Sequence, residues 1–154
     1  MGLGSAVGQV ITGLPFVRSF SSVDYKAGIQ NFSISQGPDG LLYVGNNYGL
    51  LEYDGEDWRL YGVPGGTKVR SVAVDRNGRI YVGSQGEFGF FESDSTGSLA
   101  YTSLSSRLTK DDLGFDEVWS VYVDGGQVYF CTFSRIFHFA GDKLSTIKPD
   151  TELD

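Results

Sequence analysis

The chain has 154 residues, of which 40% are hydrophobic and 22 are glycine, a composition typical of one turn-rich globular domain. Its formal net charge of −7 disfavours nucleic acid as a partner, because binding to phosphates requires clustered Lys and Arg. One cysteine excludes an internal disulfide, and no apolar run approaches the roughly 18 residues of a membrane span.

The amino-terminal part of the chain divides into two segments before any repeat begins. Residues 1–12 look like a tag or linker remnant, since they lack the basic start and apolar middle of a secretory signal. Residues 13–28 contain a strand-like core, Phe16-Val17-Arg18-Ser19-Phe20. We expect that core to form a strand.

From residue 29 onward the chain repeats one pattern three times. Each copy has an apolar strand, a tight turn, a strand containing tyrosine, a loop and a further apolar strand. The tyrosines are Tyr43, Tyr81 and Tyr129, which lie 38 and 48 residues apart. A period in this range is typical of solenoids, arrays and β-propellers.

Strand and turn signals give each copy four antiparallel strands. The predicted first strands are 29–34, 69–74 and 118–123, and the outer strands are 57–61, 98–103 and 143–148. Asp39-Gly40, Asn77-Gly78 and Gly125-Gly126 are two-residue hairpin turns, because these residues tolerate positive φ. The alternative, a β-sandwich, also has short, regularly spaced strands but does not repeat its sequence.

Four-stranded units of this length are the blades of a β-propeller. The sequence therefore predicts an all-β propeller fragment of three blades with a clasp-like amino-terminal strand. The predicted blades are residues 29–66, residues 67–116 with a long connection, and residues 117–148, followed by a tail at 149–154.

Residues with catalytic or metal-binding chemistry are few. The only histidine, His138, lies between two phenylalanines in a predicted third strand, and His138 with the distant Cys131 does not make a zinc site. Asp111 and Asp112 lie in the long connection and are better explained as solvated turn residues than as calcium ligands. We expect no catalytic residue, no metal and no cofactor.

Blade geometry instead nominates a binding surface. In an up-and-down blade, the loops after strands two and four emerge on the face where strand one begins. This rim brings together candidate ligand-binding residues: Gln30, Asn46, Asn47, Tyr48, Arg70, Gln85, Glu87, Trp119 and Arg135. Such a surface suits a polar small molecule such as a saccharide, or a partner's peptide. Alternatively, the Asn and Tyr residues fill turns and Trp119 packs between blades.

Several phrases extend beyond a generic blade repeat. Residues 42–55 read LYVGNNYGLLEYDG and are followed by Trp58. Related phrases are YKAGIQNF at 25–32, VRSV at 69–72, GRIYVG at 78–83 and EFGF at 87–90. Together they resemble the sensor propeller of Bacteroidetes-type two-component regulators and related transcriptional regulators, over roughly residues 13–140.

The resemblance implies a non-catalytic, extracytoplasmic propeller that senses a ligand for a signalling protein. Family members often continue into a triple-tyrosine β-sandwich, a membrane helix, and a histidine kinase or DNA-binding output domain. None of these parts lies in the 154 residues. A protein-interaction propeller is the first alternative; a propeller lyase or hydrolase is the second and would need an acid/base pair or a metal at the rim.

Three blades leave two apolar faces uncovered, whereas propellers close into rings of four to eight blades. We therefore expect copies of the chain to associate. The strand-like segment at 16–20 is expected to act as a clasp on the last blade or on another chain.

Overall fold

The computed structural model describes residues 13 and 15–149. These residues form three four-stranded antiparallel sheets, which confirms the predicted fold class. The strands are β1 Asn31–Gln36, β2 Leu42–Asn46, β3 Gly49–Tyr53, β4 Trp58–Tyr61, β5 Val69–Val74, β6 Ile80–Ser84, β7 Phe88–Ser93, β8 Leu99–Ser103, β9 Ser120–Asp124, β10 Gln127–Cys131, β11 Ile136–Ala140 and β12 Lys143–Ile147. Each sheet pairs its strands in chain order, and we call the sheets blades 1, 2 and 3.

A short helix, α1 Ser22–Tyr25, precedes blade 1, and 3-10 turns at Pro64–Gly66 and Ser105–Arg107 lie in the connections between blades. None of the helices in the described residues is long and apolar enough to cross a membrane. Residues 1–12 and 150–154, assigned from the sequence to a tag remnant and a tail, lie outside the described residues.

The predicted clasp strand is not a strand in this structure. Residues 15–20 form no β-ladder, and the side chains of Phe16 and Val17 are exposed. Phe20 instead packs edge-on against Tyr53 and Trp58, on the free face of blade 1. The strand prediction failed because a strand requires a hydrogen-bonded partner, and no described strand pairs with this segment.

Two cores lie between the blades. Between blades 1 and 2, Leu50, Val82 and Phe91 are almost completely buried. The core between blades 2 and 3 is aromatic: the Phe88 ring centroid lies 4.6 Å from that of Phe130 and 4.8 Å from that of Phe137. Burial of these side chains holds the blades together, at about 1.5 to 3 kcal/mol for each large apolar side chain.

A serine and a glycine repeat at both junctions between blades. Ser33 pairs with Gly45 in blade 1, and Ser71 pairs with Gly83 in blade 2. The Ser33 hydroxyl accepts a hydrogen bond from the backbone N–H of Val72 in the next blade, at 3.0 Å. Ser71 accepts one from Val121 in the same way, at 2.9 Å.

The glycine of each pair makes room for the next blade. A Cβ at Gly45 would lie 2.7 Å from the carbonyl oxygen of Val69, and a Cβ at Gly83 would collide with the Val118 side chain. We call each Ser–Gly pair, together with the strand it receives, a blade joint. The two joints place β1, β5 and β9 side by side.

Candidate functional site

One end of the three blades carries the predicted rim. The last residue of β2 pairs with the first residue of β1, Asn46 with Asn31, and the last residue of β6 pairs with the first of β5, Ser84 with Val69. The loops after β2, β6 and β10 therefore lie at the end where β1, β5 and β9 begin.

Equivalent side chains from the three inner strands meet at this rim. Phe32, Arg70 and Trp119 each come directly before the serine at the joint position of their blade. The Arg70 guanidinium carbon lies 4.8 Å from the centre of the Phe32 ring and 4.2 Å from that of the Trp119 ring. We call this arrangement the Arg70 stack.

A register shift explains why these side chains meet. The ladder of β1 with β2 is irregular between Asn31 and Ser33, and that of β5 with β6 is irregular between Val69 and Ser71. Phe32 and Arg70 are the residues that the shift skips, and a bulge of this kind re-aims a side chain. The sequence predicted Arg70 and Trp119 as site residues but missed Phe32.

Phe133, from the loop after β10, extends the aromatic surface. Its ring centroid lies 4.8 Å from that of Trp119, and its side chain is 69% exposed. The rim thus presents the exposed ring of Phe133 next to the Arg70 stack, in which the guanidinium already contacts the rings of Phe32 and Trp119.

Arg70 carries an unpaired charge. In residues 13 and 15–149, no carboxylate lies within 4.0 Å of its guanidinium, whereas the nearby Lys68 forms an ion pair with Glu117 at 3.0 Å. Within the same residues, the buried Nε1–H of Trp119 has no acceptor either. The buried Trp119 N–H is out of reach of a ligand, so the guanidinium of Arg70 is the donor that an anion at the stack would match.

Asn46, by contrast, is fully buried and is hydrogen-bonded within the chain. Its Oδ1 accepts from the backbone N–H of Gly28 at 3.0 Å and of Tyr48 at 2.9 Å. Its Nδ2 donates to the carbonyls of Gly28 at 2.6 Å and Gln30 at 3.1 Å, and to Oδ1 of Asn31 at 2.7 Å. This anchoring explains why β1 begins at Asn31 rather than at the predicted residue 29.

The neighbours of Asn46 remain at the surface. Gln30 is exposed, and its carbonyl accepts from the backbone N–H of Asn47 at 3.0 Å. Asn47 is half-buried, and Tyr48 is exposed. These three residues lie at the blade 1 end of the rim.

Glu87 is held by three hydroxyl groups. Its Oε1 accepts from Tyr101 Oη and Ser103 Oγ, and its Oε2 accepts from Ser105 Oγ, each at 2.8 Å. Burial, and then the Glu87 carboxylate, raise the pKa of Tyr101 well above its ordinary value. Glu87 therefore ties the start of β7 to the end of β8. The exposed Gln85 forms an isolated antiparallel β-bridge, through its backbone, with Glu117.

Arg135 turns toward the long connection. Its Nη1 donates to the carbonyls of Asp111 at 3.4 Å and Asp112 at 3.2 Å. The Asp112 carboxylate also binds Lys148 Nζ at 2.9 Å and Thr146 Oγ1 at 2.8 Å. Arg135 thus holds the connection to the loop between β10 and β11, while Asp112 holds it to the end of β12.

Asp112 should make stability depend on pH. The hydrogen bond from Lys148, and then that from Thr146, lower the pKa of Asp112. A carboxyl whose pKa is lower in the folded state stabilises the fold above its unfolded pKa of about 4, and loses this effect as the pH falls. Urea unfolding from pH 7 to pH 3 should therefore show a smaller loss of stability for Asp112→Asn than for the wild type. Equal losses would contradict the assignment.

His138 lies outside the Arg70 stack. Its ring stacks on Tyr129 with centroids 4.8 Å apart, and its Nε2 lies 2.6 Å from Gln127 Oε1. Among the described residues, no three His, Cys, Asp or Glu side chains are grouped as a metal site would require.

Comparisons with known proteins agree with the fold. Residues 57–87 match the family model SBBP, described as a beta-propeller repeat. Comparison of the sequence with curated proteins finds no significant match.

Among solved structures, the chain is similar to the extracellular domain of BT4673 from B. thetaiotaomicron, described as a hybrid two component system, with 18% identity and a TM-score of 0.56. It is also similar to virginiamycin B lyase from Staphylococcus aureus, with 13% identity and a TM-score of 0.59. The alignments cover 76% and 79% of this chain, but only 15% of the BT4673 domain and 42% of the lyase. At these identities the likeness shows the propeller fold alone.

Proposed function

We propose that the chain is a non-catalytic, extracytoplasmic ligand-sensing module of a two-component-type signalling regulator. The observation that carries this proposal is the unpaired guanidinium of Arg70, held between two aromatic rings at the rim. Similarity to the extracellular domain of BT4673 supports the signalling context and the extracytoplasmic location. The kinase or DNA-binding output belongs to other parts of such a regulator.

The Arg70 stack favours a ligand that carries a carboxylate. The rings of Phe32 and Trp119 both contact the guanidinium, and its N–H groups have no hydrogen-bond acceptor among the described residues, so these groups remain for hydrogen bonds to a ligand. A carboxylate accepts two such bonds side by side, and the exposed Phe133 offers a surface for the apolar face of a sugar. An acidic saccharide, or an acidic peptide of a partner, satisfies both features.

Sensing is favoured over catalysis because, in the described residues, neither the histidine nor Glu87 is available at the rim as a free acid or base. The only histidine is on β11, stacked on Tyr129, and the Glu87 carboxylate is occupied by three hydroxyl groups. Binding without turnover needs neither group. Glu87→Gln should accordingly leave ligand binding unchanged.

The test uses the fluorescence of Trp119, with Trp58→Phe as the background so that one tryptophan reports. Oligogalacturonate and a neutral galactan of equal length are titrated against the protein at low salt. We expect quenching by the acidic oligomer and an affinity loss of at least about tenfold in Arg70→Ala, since charge-assisted hydrogen bonds contribute roughly 1.5 to 3 kcal/mol.

Arg76→Ala is the matched control, because this substitution also removes one positive charge. Arg76 is exposed and lies in the β5–β6 hairpin, at the opposite end of blade 2 from the rim. Equal affinity loss in both variants would indicate a general charge effect and contradict the site. Absence of quenching by the acidic oligomer in the parent protein would also contradict it.

A further inference from the structure

The blade-joint pattern extends to a free face of blade 3. Ser120 pairs with Cys131 and stands where Ser33 pairs with Gly45 and Ser71 pairs with Gly83. Those two serines each accept a backbone N–H from the next blade, from Val72 and Val121. Among the described residues no strand lies beyond Ser120 to supply the equivalent N–H.

The opposite free face, on blade 1, offers what blade 3 lacks. The residue after the joint serine is Ile34 in β1, Val72 in β5 and Val121 in β9. Val72 and Val121 are 6% and 7% exposed because another blade covers them, whereas Ile34 is 66% exposed. β1 therefore corresponds to β5 and β9, the strands that the two internal joints receive, but no blade covers its Ile34 side chain.

A cavity of about 430 Å³ marks this face of blade 1. Its apolar lining comes from Ile34, Val44 and Leu51 of the blade and from Phe20, Tyr25 and Trp58 at the outer side. An exposed apolar cavity of this kind on the face of a sheet typically marks a site where another protein surface of complementary shape binds.

The segment before blade 1 leaves the cavity open. Tyr25, Val63 and Phe115 are buried aromatic or aliphatic residues of the segments that lead into blades 1, 2 and 3, with exposures of 7%, 6% and 7%. Each belongs to the core on the same side of its blade. The amino-terminal segment therefore corresponds to a connection between blades and does not replace a neighbouring blade.

We propose that blade 3 of one copy docks on blade 1 of a second copy, with the Ser120 hydroxyl accepting the backbone N–H of Ile34. The sequences Phe32-Ser33-Ile34, Arg70-Ser71-Val72 and Trp119-Ser120-Val121 are equivalent, so β1 has the pattern of a strand that a joint receives. Two such contacts close a ring of six blades, within the range of four to eight that propellers use. This inference is independent of the ligand.

The contact between copies is looser than the internal joints. Cys131 stands in place of the glycine of a joint, and Asn31 stands in place of Val69 and Val118. The added Cβ and sulfur keep the incoming strand further away. The assembly should therefore dissociate on dilution.

The ring has one consequence for the rim. Phe32 of the second copy would follow Trp119 of the first, so the Arg70 stack would continue around the channel mouth. Each ring would carry two equivalent cations.

Two substitutions separate this arrangement from other modes of association. Ile34→Glu blocks the blade 1 face, and Tyr122→Glu blocks the blade 3 face; both side chains are exposed, so neither change should affect folding of the single chain. Ala100→Glu, on the exposed outer strand of blade 2, adds the same charge away from both faces. Light scattering with size exclusion measures the mass over about a hundredfold range of concentration.

We expect the wild type and Ala100→Glu to reach twice the chain mass, and each blocked variant alone to stay monomeric. A mixture of the two blocked variants should form a one-to-one dimer through one intact contact, blade 3 of Ile34→Glu on blade 1 of Tyr122→Glu, and should need a higher concentration than the wild type because the second contact carries both charges. A monomeric wild type at all concentrations would overturn the proposal. So would a dimer of either blocked variant alone, or a mass that grows beyond two chains.

Discussion

Gly83→Ala is expected to destabilise the protein by about 3 kcal/mol, the upper part of the range for overpacking a core. A methyl group at this position would collide with the side chain of Val118, which is completely buried. Val118 cannot move away easily, because its backbone N–H donates to the Ser84 carbonyl at 3.0 Å. The substitution therefore strains the joint between blades 2 and 3, where the aromatic core lies.

Urea unfolding followed by far-UV circular dichroism measures this loss. Gly62→Ala is the matched control, since a Cβ there meets nothing within 4 Å and the Gly62 backbone is not in the left-handed region. It should change stability by no more than about 0.5 kcal/mol. Similar unfolding midpoints for the two variants would show that the close approach at Gly83 is not a determinant of stability.

Local sequence signals were sufficient to predict the blades. Gly125-Gly126 forms the predicted two-residue turn between β9 and β10, with both φ positive. Asp39-Gly40 and Asn77-Gly78 lie instead in longer connections, 37–41 and 75–79, in which only Gly40 and Gly78 have positive φ, of 88° and 85°. The predicted second inner strand, 69–74, is β5 as observed, and the predicted outer strands differ from β4, β8 and β12 by one residue. Turn chemistry and strand composition act over a few residues, which is why single-sequence reasoning detects them.

Side-chain partners were harder to predict, because they depend on contacts between residues that are distant in the chain. Glu87 and Asn46 were candidate ligand-binding residues, yet the structure gives both of them hydrogen-bond partners from other segments. Ser33 and Val72, which form a joint, are 39 residues apart. A signal did exist: the serine recurs at 33, 71 and 120, each time before a β-branched residue and after Phe32, Arg70 or Trp119.

Asn46→Ala is the second substitution for which we expect a large effect. It removes both acceptor and donor functions of a fully buried carboxamide, so the N–H groups of Gly28 and Tyr48 and the Gly28 carbonyl lose their partner. Buried polar groups left without a partner cost about 1 to 3 kcal/mol each, and partial exposure to water offsets some of this. We expect a loss of roughly 2 to 4 kcal/mol in the free energy of unfolding, measured with urea.

Asn47→Ala is the control for this prediction, because Asn47 is adjacent and half-buried. The two variants distinguish a structural from a ligand-binding role. If Asn46 anchors residues 28–31, Asn46→Ala lowers stability without any ligand present, and Asn47→Ala does not. If Asn46→Ala instead kept wild-type stability while weakening the binding of an acidic saccharide, the carboxamide would be available to ligand, and the start of β1 would need another anchor.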